Sequence, residues 1–238
     1  MSEPLILEFV GLSGAGKSTV ANALVEKLRQ RNYRCAHRHM IGGQELSRAV
    51  HFRRLGWYLL SHPRVLRAAA RLGLPAARKG ASRLREALRF HIWSYRLTLA
   101  RKLGIDIVVL DQGVVQEAWG LMVRQPGWDR TALQAAVEDV IRGTPAAYAM
   151  VYFEVDRETA TRRIAARSDG ESRFDQLPQP EMQQLLDHHA PDLRLMYDTV
   201  LRSLNLPSLP VDGSRPVAEL VTEIAAFVEA RLRLIRAS

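Results

Sequence analysis

The chain has 238 residues with 34 Lys and Arg against 25 Asp and Glu, a net charge of +9, and its length suits one large α/β domain or a core with one insertion. No run of about 18 apolar residues is free of charge, and no basic stretch leads into an apolar one and a cleavage site at the N-terminus. A membrane span and a secretory leader are therefore not expected, and the chain reads as cytoplasmic. The single cysteine, Cys35, rules out an internal disulfide and a metal site of cysteines alone; a small apolar filler in a strand is its expected role.

Leu5 to Val10 is an apolar run of strand character, and Val20, Leu24 and Leu28 fall on one face of a helix that follows. Between them stands G-x-x-x-x-G-K-[ST], with Gly11, Gly16, Lys17 and Ser18 in the defining places, at the strand-to-helix turn that a phosphate loop requires. Glycines let the backbone turn its N–H groups inward, and together with the helix N-terminus these make a concave site for phosphate oxygens. Gly11, Ser13, Gly14, Ala15, Gly16, Lys17, Ser18 and Thr19 are the expected nucleotide cradle, with Lys17 meeting the β- and γ-phosphates and Ser18 a magnesium ion. ATP and Mg²⁺ are the expected cofactors.

Residues 32–40, NYRCAHRHM, alternate enough for a second strand that ends at Gly42 and Gly43. His37, Arg38 and His39 stand at its end, where they would meet an acceptor anion. From 44 to 103 the pattern is helical, interrupted by SHP at 61–63 and GLP at 73–75, and forms a basic helical insertion. Residues 29–102 hold 18 Lys and Arg against only Glu45 and Glu86, so this stretch carries +16 and the remainder −7. Arginine forks suit phosphate and carboxylate better than lysine point charges do. An acceptor and lid region for an anionic substrate, a nucleic-acid surface, a helical pair drawn to anionic lipid and a plain solvated face all fit that charge.

GIDIVVLDQG at 104–113 is the clearest further buried strand and puts Asp111 at its carboxyl end. Helices are expected over 114–125 and 131–142, on either side of QPGWD, and a buried strand over 146–155. Asp156 is placed to cap a helix running to about Arg167; a polar loop, a helix over 180–204, a short strand in PSLPVDG and an amphipathic helix over 217–235 follow. Strands alternating with helices indicate a parallel sheet covered on both faces, a three-layer α/β arrangement. Ligands sit beyond the carboxyl ends of such strands. Asp111 is thus the expected magnesium ligand, directly or through water, with a role as base toward an alcohol as the alternative. Arg162, Arg163, Arg167 and Arg173 would set cations around a transferring phosphoryl group. His188 and His189, adjacent on a helix, are expected to point apart and to serve the structure.

GLSGAGKST, DQG after a buried strand, RRIAARSDGESRFD, Tyr197 and VDGSRPVAELVTEI resemble, in that order, the elements of the thymidylate kinase and nucleotide kinase group of phosphate-loop kinases, over roughly residues 1–30 and 104–236. The resemblance implies a five-stranded parallel sheet flanked by helices in a single domain over 1–238. Residues 44–103 would be its acceptor or lid-like insertion and 168–178 its arginine lid. It makes Arg163, Arg167 and Arg173 lid arginines, Phe174 and Asp175 the pair closing the lid, and Asp212 to Pro216, with Gly213 and Arg215, the loop bordering the nucleotide base. Gln112 stands beside Asp111 where that group has the arginine of an Asp-Arg pair, on the acceptor side. Ser13 and Val10 occupy places where thymidylate kinases carry carboxylates, and their Glu-Pro-Gly is absent. GLSGAGKST is similar to adenylylsulfate kinases as well, but HRHMIGG replaces their Asp-Gly-Asp-Asn. The Asn-Lys-x-Asp of GTPases is missing.

The expected activity is an ATP-dependent phosphotransferase acting on a small, anionic acceptor such as a nucleoside monophosphate or a phosphorylated sugar. The alternatives are a kinase of a neutral alcohol, nucleoside or antibiotic, and a nucleotide-dependent switch ATPase that uses the basic helices on nucleic acid or anionic membrane. A small-molecule acceptor is the expected partner and nucleic acid is not; a peripheral contact with anionic membrane and a homodimer stay open.

Overall fold

Strand β1 (Leu5–Gly11) is buried along its whole length because it lies in the middle of the sheet. In the computed structural model, which describes residues 3–37, 56–124, 127–166 and 178–237, its neighbours are β3 (Ile107–Leu110) and β4 (Ala147–Glu154). Outside these lie β2 (Cys35–His37) and β5 (Ser208–Asp212), giving the order β2-β3-β1-β4-β5 with every adjacent pair parallel. The five-stranded parallel sheet expected from the sequence is therefore present.

Side chains alternate across a strand, so β1 feeds two cores. Leu5, Leu7 and Phe9 pack with Val20, Leu24 and Leu28 of α1 (Lys17–Gln30) and with Leu220, Ile224 and Val228 of the last helix (Val217–Ala237). Ile6 and Val10 face the opposite, larger core. That core is closed by α2 (Pro63–Arg78), α3 (Ala81–Lys102), α4 (Val114–Arg124), α5 (Arg130–Gly143), α6 (Arg157–Ala165) and α7 (Gln179–Leu204), which leaves Val217–Ala237 as α8. Helices cover both faces, as a parallel sheet requires.

The second strand is shorter than the expected 32–40 at its start, because α1 uses those residues to end. Asn32 takes φ 64 and donates to the Arg29 carbonyl, and Tyr33 donates to that of Leu28, so pairing with β3 begins only at Cys35. Cys35 is a buried filler, and burial pushes its thiol up to about 12.

SHP does break the helical pattern, between a helical stretch at 56–61 and Pro63. GLP at 73–75 does not: α2 runs through it with Pro75 inside. An internal proline costs roughly 3 kcal/mol, and here a buried stripe offsets it: Ala68, Leu72 and Ala76 seal into the larger core, and Val65 packs with Tyr58 and Tyr95. The break falls instead at Gly80, whose φ of 115 turns the chain into α3. Leu72→Ala is accordingly expected to lower stability by about 3 kcal/mol, read as a fall in the urea midpoint. A loss below about 1 kcal/mol would show that α2 is not seated on this core.

Among the described residues no helix is long and apolar enough to cross a membrane.

Candidate active site at the carboxyl edge of the sheet

The chain leaves β1 at Gly11 and enters α1 at Lys17. Gly14, at φ 83, lies so close to α6 that a Cβ would strike the Ala160 carbonyl oxygen, which restricts this position to glycine. Gly16 caps α1 at φ 86 with no side-chain bond, so the first N–H groups of the helix are left to the concave side of the loop, the arrangement that receives phosphate oxygens. Lys17 is only 7% exposed and donates to the carbonyl oxygens of Gly11 at 2.7 Å and Leu12 at 2.8 Å. Neutral carbonyls are weaker partners for an ammonium than phosphate oxygens are, so a phosphate can take their place.

Asp111 follows β3 directly and is 2% exposed. Its Oδ2 accepts from the Ser18 hydroxyl at 2.6 Å, and its Oδ1 lies 3.4 Å from His37 Nε2. His37 closes β2, which pairs in parallel with β3, so both residues reach the same edge. Magnesium prefers hard oxygen ligands, takes one or two from the protein and completes its shell with water and phosphate oxygens. A serine hydroxyl touching a buried carboxylate oxygen fits that demand. Gln112 is exposed next to Asp111.

The remaining expected site residues divide. Arg163 Nη1 donates to the Gly213 carbonyl at 2.8 Å, and Gly213 N donates to that of Glu154 at 2.7 Å, tying α6 and the end of β4 to the loop after β5. Arg215 in the same loop is turned to α8, where it bonds Glu223 at 2.6 Å and Glu219 at 3.3 Å. Asp156 caps α6 as expected, accepting from Thr159 N at 2.7 Å, and Arg162 bends to the Thr159 hydroxyl. Arg38, His39, Arg167, Arg173, Phe174 and Asp175 lie outside the described residues. His188 and His189 do not point apart: their rings meet edge-on with centroids 4.7 Å apart, and burial lowers the His189 pKa.

The motifs point to neither Glu8, Gln116 nor Tyr148, yet these three join the site's two loops. Glu8, fully buried in β1, accepts from Gln116 N at 3.1 Å and from the Tyr148 hydroxyl at 2.5 Å. Burial pushes its carboxyl up to about 7, against the pull of those hydrogen bonds and of the Val114 and Val115 N–H groups. The side chain of Gln116 in turn accepts from Gly11 N at 3.2 Å. A lone acid inside the apolar run LILEFVG is itself the available signal, since a carboxylate in a central strand must have partners.

A phosphate loop leading from the central strand of a parallel β2-β3-β1-β4-β5 sheet into the first helix, with an aspartate closing the adjacent strand, defines a three-layer P-loop α/β fold. The family model of adenylylsulphate kinase matches residues 3–56, the stretch holding β1, the phosphate loop, α1 and β2. Two structures of deoxyadenosine kinase from M. mycoides are similar across 94% of this chain, each with a TM-score of 0.48. One, with the products dCMP and a flexible dCDP, is 16% identical and covered over 99% of its length; the other, with dATP, is 17% identical and covered over 98%. No curated protein matches the chain.

Proposed function

We propose that the protein is a magnesium-dependent kinase that moves the γ-phosphoryl group of ATP to a small acceptor already bearing phosphate or carboxylate. The observation that carries this is the convergence of Lys17, Ser18 and Asp111 at the carboxyl edge, with the Ser18–Asp111 contact at 2.6 Å. In this reading the N–H groups at the start of α1 and the Lys17 ammonium hold the β- and γ-phosphates. Ser18 and Asp111 would hold the ion, which when bound would supply positive charge to offset that of the phosphates. The acceptor oxygen bonds to the γ-phosphorus as the bond to the β-phosphate oxygen breaks, and ADP carries away the electron pair. Lys17 meets the charge that spreads over the equatorial oxygens, and Arg163, held beside Gly16, stands close enough to share that work.

A phosphate acceptor brings its own ionised oxygen and needs no strong base, whereas an alcohol would need a carboxylate to take its proton. Asp111, paired with Ser18 and His37, is engaged in holding the site, and the surplus of +16 over residues 29–102 supports an anionic acceptor. ATP consumption should be screened over nucleoside monophosphates, sugar phosphates, nucleosides and aminoglycosides, with products identified by mass. Turnover is expected on the phosphorylated compounds. Turnover on uncharged alcohols alone would discard the anionic acceptor and make Asp111 the base.

One observation favours a nucleotide switch on an anionic membrane. Trp57 and Leu60 are 76% and 71% exposed, and Trp57 lines a cavity of about 770 Å³ with Tyr58, Tyr95, Arg101 and Lys102. Aromatic and basic groups together suit a membrane interface. Under the kinase reading, acceptor phosphorylation proceeds without vesicles. ATP hydrolysis that appears only with phosphatidylserine vesicles, and fades with salt, would favour the switch instead.

A further inference from the structure

Glu8 occupies a place in the middle strand where its register partners, Leu110 of β3 and Met150 of β4, are both apolar. An ionisable group there must be held by specific hydrogen bonds, and the groups that hold it belong to the frame of the active site. Its Oε1 accepts from Gln116 N, its Oε2 from the Tyr148 hydroxyl, and the N–H groups of Val114 and Val115 also bond it. Those N–H groups open α4, so a carboxylate from β1 caps the helix that follows the Asp111 loop. Gly113, between Asp111 and α4, approaches Glu8 so closely that an added Cβ would stand 2.5 Å from Glu8 Cδ. One turn into α4, Gln116 reaches back across the site and accepts the N–H of Gly11, the first residue of the phosphate-loop motif. Two ties therefore run between the loops, and neither involves Lys17, Ser18 or Asp111.

We propose that Glu8 and Gln116 are positioning residues that lock the Asp111 loop to the phosphate loop and so preset the Ser18–Asp111 pair for a magnesium nucleotide. This rests on the phosphate-loop reading above. Groups that hold a ligating residue in place commonly govern metal affinity as strongly as the ligand itself, with losses of roughly tenfold or more on removal. Without the Gln116 tie, the Gly11 N–H loses its buried acceptor and the entry to the loop can move relative to α4.

The test uses the whole chain and needs no acceptor. Gln116→Met keeps length and helix propensity while removing the acceptor oxygen. Binding of ADP to wild type and variant is measured by calorimetry, with and without Mg²⁺, after urea titrations have confirmed that both are folded. Wild type should bind ADP more tightly with Mg²⁺, and the variant should lose about tenfold of that magnesium-dependent gain while its metal-free affinity changes less. An unchanged magnesium gain, or an equal loss with and without the ion, would overturn the positioning role. A wild type that binds no ADP would instead overturn the phosphate-loop reading, and the proposal with it. Should Gln116→Met fail to fold, Tyr148→Phe removes one of the bonds to Glu8 and is read by the same magnesium gain.

Discussion

Replacing Lys17 with Met is expected to lower phosphoryl transfer on the order of a thousandfold while leaving the fold in place. The ammonium sits in a nearly enclosed position at the mouth of the loop, where it donates to the carbonyls of Gly11 and Leu12. Charge developing on a transferring phosphoryl group is met there in a medium of low dielectric, where one fixed cation is worth far more than in water. Methionine matches the length and apolar stem of lysine but brings neither charge nor donor. The two carbonyls lose a partner, a cost of about 1 kcal/mol, so the urea midpoint should shift little. Turnover and denaturation measured on the same preparation check this; unchanged turnover on an accepted substrate would remove Lys17 from the chemistry.

Glu8→Gln is expected to change how stability depends on pH. Folding raises the Glu8 carboxyl from its ordinary 4.5 to about 7, burial being the main cause. Between those values the folded chain holds a proton that the unfolded chain has released. This contribution is full below about pH 4.5 and is lost as pH rises through about 7, amounting to about 3 kcal/mol. Glutamine does not titrate, can accept from Gln116 N through its carbonyl oxygen, and can donate to the Tyr148 oxygen. The variant should therefore gain on wild type by about that amount between about pH 4.5 and about pH 8, as compared by urea titration. A difference that stays constant with pH would show that Glu8 keeps an ordinary carboxylate pKa in the folded state.

The parts of the site that were legible in the sequence are those whose chemistry is written locally. Lys17 and Ser18 are fixed by the spacing of the phosphate loop, and Asp111 is a single charge closing an apolar strand, so elementary topology brings them together. His37 was legible as a residue of this edge, but its approach to Asp111 depends on the pairing of two strands far apart in the chain. The Glu8 network was harder to see because its partners are 108 and 140 residues away and only the folded sheet collects them. Boundaries shifted where local signals competed. Asn32 and Tyr33 look like strand but end α1, and Pro75 looks like a break but lies in a helix held by its buried stripe.

The central claim is that this site transfers the γ-phosphoryl group of ATP and does not merely release it. Phosphorus NMR of ATP, Mg²⁺, the protein and a pool of phosphorylated acceptors tests this most directly, because ATP, inorganic phosphate and each new ester or anhydride give separate signals. The arrangement of Lys17, Ser18 and Asp111 predicts that the γ-phosphorus appears on an acceptor, in step with the formation of ADP. ADP accompanied only by inorganic phosphate, whichever acceptor is present, would contradict it.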